Sequence, residues 1–268
     1  MGRELTPYQP DWDLIKEQSF DPQPVIIHPD EYDDFLKEHG LHRGFQTNDG
    51  IKKCLELGLI KIWADDPGFD LRRQVQSNNI DLRLGNEFWF FKPHKISRLT
   101  LGREDVIREL DLLEYAYKLD GDEFVFHPSR LVLAMTKDGV AVSNVAAAEF
   151  DGVSKLGRHG ISNHQTAGLI HSGFAGHIMA ELSNVNDLDV AVPIGYKIGT
   201  LKVTLTADPC TEPRSLDPDK GWTNLQTGPF GFRNPKWDEE RENVIRAGLV
   251  LANGFHLTGD GAKLVVSH

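Results

Sequence analysis

The chain has 268 residues, 40% apolar and 26% charged, enough for one large domain or two small ones with a core that folds without covalent staples. A formal charge of −11 argues against a general nucleic-acid binder, which normally shows a basic face, although a small polyanion needs only a few local cations and N–H groups. The only two cysteines, Cys54 and Cys210, lie far apart with no CxxC companion, which argues against a disulfide framework and a cysteine-based zinc site.

No apolar run approaches the ~20 residues needed to span a membrane. The opening MGRELTPYQPDWDL lacks the apolar segment of a secretory signal. A reducing cytoplasmic location is the simple expectation.

Residues 1–45 are rich in Pro, Asp and Glu, and Asp30 to His39, followed by Gly40, reads as a short helix with a glycine end. Thr47-Asn48-Asp49-Gly50 followed by Ile51, Cys54, Leu55 and Leu57 predicts an amphipathic helix, and Leu59 to Trp63 a strand. From Asn79 the texture turns to short apolar runs punctuated by Gly, Pro and Asn. Strands are expected at 80–84, 88–91, 124–126, 131–135, 169–170, 176–182, 190–192 and 198–205. Nothing alternates strands with long helices, so the reading is a β-sandwich or barrel. Residues 206–235 are turn-rich, 238–252 reads as a helix and 263–266 as a last strand. The division expected is an extension over 1–45, a core over 46–206 and a C-terminal extension over 207–268.

The chemistry-bearing stretch runs from Asp151 to Asn184. Ser154 and Arg158, four apart, share one face if that turn is helical. Gly157 and Gly160 permit close approach or unusual dihedrals. Thr166-Ala167-Gly168 places small residues before a strand, leaving room for a planar ligand. Glu181 stands in an otherwise apolar strand, where partial burial would raise its pKa towards that of a general base. A solvated loop carrying a surface Ser/Arg pair and an exposed strand Glu accounts for the same spacing. His159, His164, His171 and His177 cluster in sequence without a metal-ligand pattern. Phe88–Phe91 reads as core and subunit packing, and Gly228 to Arg233 as an ordinary turn that only faintly resembles a phosphate-closing arm.

Several motifs recur in order. Gly152, Ser154, Leu156, Gly157, Arg158 and Gly160 are followed by His164-Gln165-Thr166-Ala167-Gly168, Ile170, Gly173-Phe174, Gly176, Ile178, Glu181-Leu182 and Asn184. Gly195 to Leu201 closes the series, and Ser77 to Gly85, Asp49 to Ile62 and Phe126-His127-Pro128 precede it. Together, over residues 46–206, the chain resembles the dCTP deaminase/dUTPase family, in wording nearest its archaeal bifunctional deaminase–dUTPase branch.

That resemblance implies a mainly β, distorted barrel or jelly roll of dUTPase-like type with a few short helices, assembled as a homotrimer with active sites at subunit interfaces. It implies zinc-free deamination of a deoxycytidine nucleotide, dCTP to dUTP. Glu181 falls on the proton shuttle, and Ser154 and Arg158 on the groups that position the water and the ring. No zinc-deaminase signature is present. Substrate contacts are implied at Val153, Lys155, Gln165, Thr166, Ala167, Gly168, His171, Phe174, Met179, Ala180 and Thr200. Mg²⁺ is expected to travel on the phosphates, with few protein ligands.

Three positions depart from the family pattern. Val153 replaces an Arg that contacts phosphate, with Lys155 beside it as a compensating cation. His171 replaces the Asp that holds the sugar 3′-hydroxyl and, in dUTPases, activates the hydrolytic water. Thr200 replaces a phosphate-contacting Gln. Because these surround sugar and phosphates, the sequence favours a deaminase over a dUTPase-type pyrophosphatase or a non-catalytic nucleotide-binding trimer.

Overall fold

Alternation of Ile80, Leu82 and Leu84 with Asp81 and Arg83 sends one side chain set inward and the other outward along a strand. In the computed structural model this pattern opens the strand that joins the two halves of a curled sheet. The structure describes residues 6–18, 21, 23–64, 66, 69–91, 113–117, 122–165, 167–213, 255–257 and 264–266.

In chain order the described elements are α1 (Trp12–Gln18), a 3-10 turn (Pro29–Glu31), α2 (Tyr32–His39), β1 (Gly44–Phe45), α3 (Asn48–Glu56), β2 (Ile60–Trp63), α4 (Leu71–Gln74) and β3 (Ile80–Phe91). Then follow β4 (Leu113–Tyr117), β5 (Glu123–Phe126), β6 (Leu131–Val142), β7 (Ala146–Gly152), α5 (Ser154–Arg158) and β8 (Ile161–Ser162). The last are β9 (Leu169–Ile170), β10 (Ala175–Asn184), β11 (Val190–Pro193), β12 (Lys197–Leu205), β13 (Phe255–Leu257) and β14 (Leu264–Val266). The expected mainly β fold with short helices is present. The helix expected at 238–252 and the segment 228–233 lie outside the described residues.

The main sheet runs β8-β10-β6-β3-β12-β7-β9, with β1 on β12, β2 on β6 and β4 on β3. Two long strands set its curl. The first half of β3 pairs with β12, then the register shifts between Leu84 and Phe88 and the second half pairs with β6. Gly85 sits at that shift, where a Cβ would lie 2.6 Å from the carbonyl oxygen of Met135, so no side chain fits. Strand β6 pairs with β10 along one edge and, on the other, with β3 and then β2.

The inward faces form one core that includes Ile80, Leu82, Leu84, Phe88, Phe126, Val140, Phe150, Ile178, Leu182 and Leu201. Phe88 stacks on Phe124 with centroids 3.9 Å apart. The N-terminal segment is built into this core through Ile15, Tyr32, Leu36 and Leu41. Polar ties fasten it as well: Asn144 exchanges both amide bonds with the backbone of Ile27, at 2.8 and 2.9 Å, and the buried Lys61 ammonium donates to the carbonyls of Asp21 and Gln23. Gly40 ends α2 in the left-handed conformation, at φ 56°, as its sequence position predicts.

Candidate active site

Helix α5 exists because the chain leaves β7 at Gly152 and turns, with buried Leu156 pinning one side of a single helical turn. Val153 occupies the cap position and packs half-buried on the core. Ser154, Lys155 and Arg158 are exposed, and Ser154 and Arg158 bracket the helix as the four-residue spacing requires. The Lys155 ammonium lies 5.4 Å from the centroid of the Tyr196 ring. Gly160 does need to be glycine: its φ is 81°, and a Cβ would stand 2.7 Å from Cβ of Asn186. Gly157 faces open space.

Strand β10 alternates cleanly, with Ile178, Ala180 and Leu182 buried and His177, Met179, Glu181 and Ser183 on the outer face. Glu181 is therefore half-buried and turned away from the core. Its direct cross-strand neighbour is Leu133, whose neighbour on the other side is Trp89. Leu133, Trp89, Met135 and Met179 form a small apolar cluster of their own on this outer face. The carboxylate thus stands at the border of an apolar platform. Its Oε2 accepts the backbone N–H of Gln165 at 3.0 Å.

The loop between β8 and β9 covers this border. Gln165 and Ala167 are exposed, Gly168 is half-buried, and Thr166 lies outside the described residues. The carbonyl of Gly168 accepts from the N–H of Phe150 at 2.7 Å, and a Cβ at Gly168 would sit 2.8 Å from the Phe150 oxygen, so only glycine fits. His171 is exposed at the end of β9. Phe174 is buried in the main core, and Ala180 points inward with it, so both contribute backbone rather than side-chain surface to any ligand.

Thr200 projects outward from β12 between Asp81 of β3 and Asp151 of β7, one cross-strand row of three. Both carboxylates are already paired, Asp81 with Lys197 at 2.6 Å and Asp151 with Lys202 at 2.7 Å. The hydrogen bond from Lys202, aided by the N–H of Gly152, holds the Asp151 carboxyl below the usual carboxylate range.

Gln165 and Glu181 are brought together directly. Ser154 and Arg158 are not: among the described residues, neither makes a hydrogen bond or ion pair with Glu181. Ser183 was invisible to motif reading; its signal is a hydroxyl two residues beyond the Glu, on the same strand face.

A family profile described as dCTP deaminase-like matches residues 45–205, more than half of the sequence and all of the site just described. The chain belongs to the dCTP deaminase-like family. A relative in Salinispora tropica named "dCTP deaminase, dUMP-forming" is 34% identical over 189 residues, covering 65% of this chain and 93% of its own. A Natronomonas pharaonis protein named "dCTP deaminase" is 37% identical over 184 residues, covering 68% and 91%. The crystal structure of a 2′-deoxycytidine 5′-triphosphate deaminase from Agrobacterium tumefaciens overlaps 61% of this chain and 48% of its own, at TM-score 0.47 and 19% identity. In this dCTP deaminase-like chain, the segments 6–44 and beyond 205 fall outside the family match. Among the described residues, no helix is long and apolar enough to cross a membrane, and no group of three or more His, Cys, Asp or Glu gathers at metal-binding range.

Proposed function

We propose that the protein hydrolyses the 4-amino group of dCTP, taking water and releasing ammonia, with Glu181 as the proton shuttle. The observation that carries this reading is the presentation of Glu181. In a family named for the reaction, its carboxylate leaves the core, has one oxygen held by a backbone N–H and stands beside the Trp89–Leu133–Met179 platform. A pyrimidine lying over that platform brings C4 to the carboxylate. Glu181 takes one proton from the attacking water and passes it to the ring nitrogen N3. It then takes the second proton from the hydroxyl formed at C4 and passes it to the departing amine as the C4–N bond breaks and the C4 carbonyl forms. Such positioned proton transfer contributes about 10²–10⁴ in rate.

Ser154 and Arg158 supply the hydroxyl and the cation that orient the water and the oxygen developing at C4. Their separation from Glu181 within one chain supports a homotrimer in which a neighbouring copy brings its α5 to this β10. Mixing Ser154→Ala with Glu181→Gln protein tests it: shared sites regain part of the activity, whereas sites complete within one chain regain none.

Lys155 serves the phosphates in place of the Arg absent at Val153. A magnesium ion would be bound through the phosphate oxygens of the nucleotide and would offset their charge, as suits a hard cation that keeps few protein ligands. The carboxylates flanking Thr200, Asp81 and Asp151, are already paired with Lys197 and Lys202, so such an ion would be held chiefly by the nucleotide's own phosphate oxygens. The compartment proposed is the cytoplasm.

A second reading, further cleavage to dUMP, is favoured by the names of relatives such as that of Salinispora tropica. His171 in place of an acidic residue opposes it, since an imidazole is a weaker partner for a hydrolytic water. Chromatography of products from dCMP, dCDP, dCTP and dUTP separates the readings. The deaminase gives dUTP and ammonia from dCTP and leaves dUTP intact, the bifunctional enzyme gives dUMP and pyrophosphate, and a binding protein gives no product.

A further inference from the structure

The loop beside Glu181 holds a device that the sequence motifs do not announce. Strand β8 pairs with β10 at Ser162 and Ser183, and the N–H of His164 then donates to the carbonyl of Glu181 at 3.2 Å, which continues the same register. At this point the ladder stops. His164 adopts φ 63°, a left-handed conformation uncommon for a residue with a side chain. That turn redirects the next donor, so the N–H of Gln165 meets the carboxylate of Glu181 at 3.0 Å instead of the main chain of β10.

Gln165 also reaches along the strand, where its side-chain amide donates to the hydroxyl of Ser183 at 3.0 Å. Either orientation of that amide keeps the bond, because a hydroxyl both donates and accepts. Glu181 and Ser183 are two apart on one face of β10, so a single loop residue grips both. The His164 ring packs edge-on against Phe150, 5.8 Å between centroids, and both its nitrogens are buried without a hydrogen-bond partner among the described residues. The left-handed residue is held by its N–H bond to Glu181 and by the packing of its ring, with no polar bond to that ring among the described residues. The Gln165–Ser183 bond is the polar tie of the next residue.

We propose that Gln165 and Ser183 form a positioning pair for Glu181. The amide–hydroxyl strut fixes the loop so that the Gln165 N–H immobilises Oε2, leaving Oε1 to face the water. This inference rests on Glu181 being the proton shuttle, and it assigns Gln165 a role different from the substrate contact that the family resemblance implies. A reacting group displaced by about 1 Å can lose on the order of 10²-fold in rate. A strut of this kind therefore acts on kcat, whereas a ground-state substrate contact acts on KM.

The test is steady-state kinetics on dCTP for the full-length wild type, Gln165→Ala, Ser183→Ala, the double variant and Ser183→Thr, with Tm measured for each. The expected result is a kcat lowered about 10-fold or more in each alanine variant, at a KM within about twofold of wild type and an unchanged Tm. The double variant should be no worse than the worse single, because both remove one interaction. Ser183→Thr should restore kcat, since it keeps the hydroxyl. Gln165 is exposed, so its variant carries the test even if the strand substitution weakens folding. An undiminished kcat in Gln165→Ala, or a loss confined to KM, overturns the positioning pair while leaving the deaminase reading in place. A wild type inert towards every cytosine deoxynucleotide overturns the deaminase reading and the pair with it.

Discussion

Arg83 of β3 and Asp138 of β6 are locked together: Nη2 donates to Oδ1 at 2.6 Å, Nε to the same oxygen at 3.1 Å, and the backbone N–H of Arg83 to Oδ2 at 2.8 Å. Asp138 is fully buried, and Gln74 adds a fourth donor at 3.1 Å. The other end of the guanidinium bonds Asp66, which also pairs with Lys137. This network sits where β3 passes from β12 to β6. Asp138→Ala leaves a shielded guanidinium short of its main partner, and removing one member of a buried pair costs about 3–5 kcal/mol. Urea unfolding should show the loss, reduced towards the lower figure because Asp66 remains.

Gly85 provides a second test of the same crossing. Gly85→Ala forces a methyl within 2.6 Å of a backbone oxygen that cannot swing aside. Overpacking of this sort costs about 1–3 kcal/mol, so the thermal midpoint should fall with little change in m-value.

Much of this arrangement was legible in the sequence, and the failures have physical reasons. The strands at 169–170, 190–192 and 198–205 announced themselves through alternation and flanking turn residues, and β9, β11 and β12 lie there. Strand β7, Ala146-Ala-Ala-Glu-Phe-Asp-Gly, has few β-branched residues, and its place is set by pairing with both β12 and β9. The apolar run of β6 ends at Met135, yet the strand continues to Val142. It does so because Asp138 is paid for by Arg83, and Gly139 lies beneath the Trp63 ring. Helix α1 has only seven residues and depends on Asp11, whose side chain accepts the N–H groups of Asp13 and Leu14 at 3.0 Å. In the site, the family resemblance singled out Glu181, Ser154 and Arg158 as candidates. The grip of Gln165 on Ser183 escaped it, because that contact depends on the left-handed turn at His164.

Burial predicts an alkaline weakness at Cys54. The thiol lies in the core, and desolvation pushes its pKa up to about 12, against about 8.5 in an unfolded chain. Between those values the unfolded state has lost a proton that the native state keeps, so stability falls as pH rises from about 8.5, by up to about 1.4 kcal/mol per unit. Tyr8, pushed up to about 12 by its hydrogen bond to Glu56, adds to the effect above pH 10. Urea midpoints at pH 8 and pH 10 should diverge more in wild type than in Cys54→Ala, which lacks the buried thiol.

The N-terminal segment should behave as part of the folded unit. Asn144→Ala removes both bonds to the half-buried Ile27 backbone, at about 1 kcal/mol, below the penalty for a fully buried group. Limited proteolysis should then cut before residue 41 faster than in wild type, while cleavage within the sheet stays unchanged.

The most direct measurement of the central claim follows ammonia and uracil nucleotide from dCTP, with wild type and Glu181→Gln side by side. The proposed chemistry predicts turnover by wild type and a kcat lower by about 10² or more in the variant, which keeps the shape of the side chain but cannot carry the proton. An undiminished rate in Glu181→Gln, or no turnover of dCTP by wild type, would contradict it.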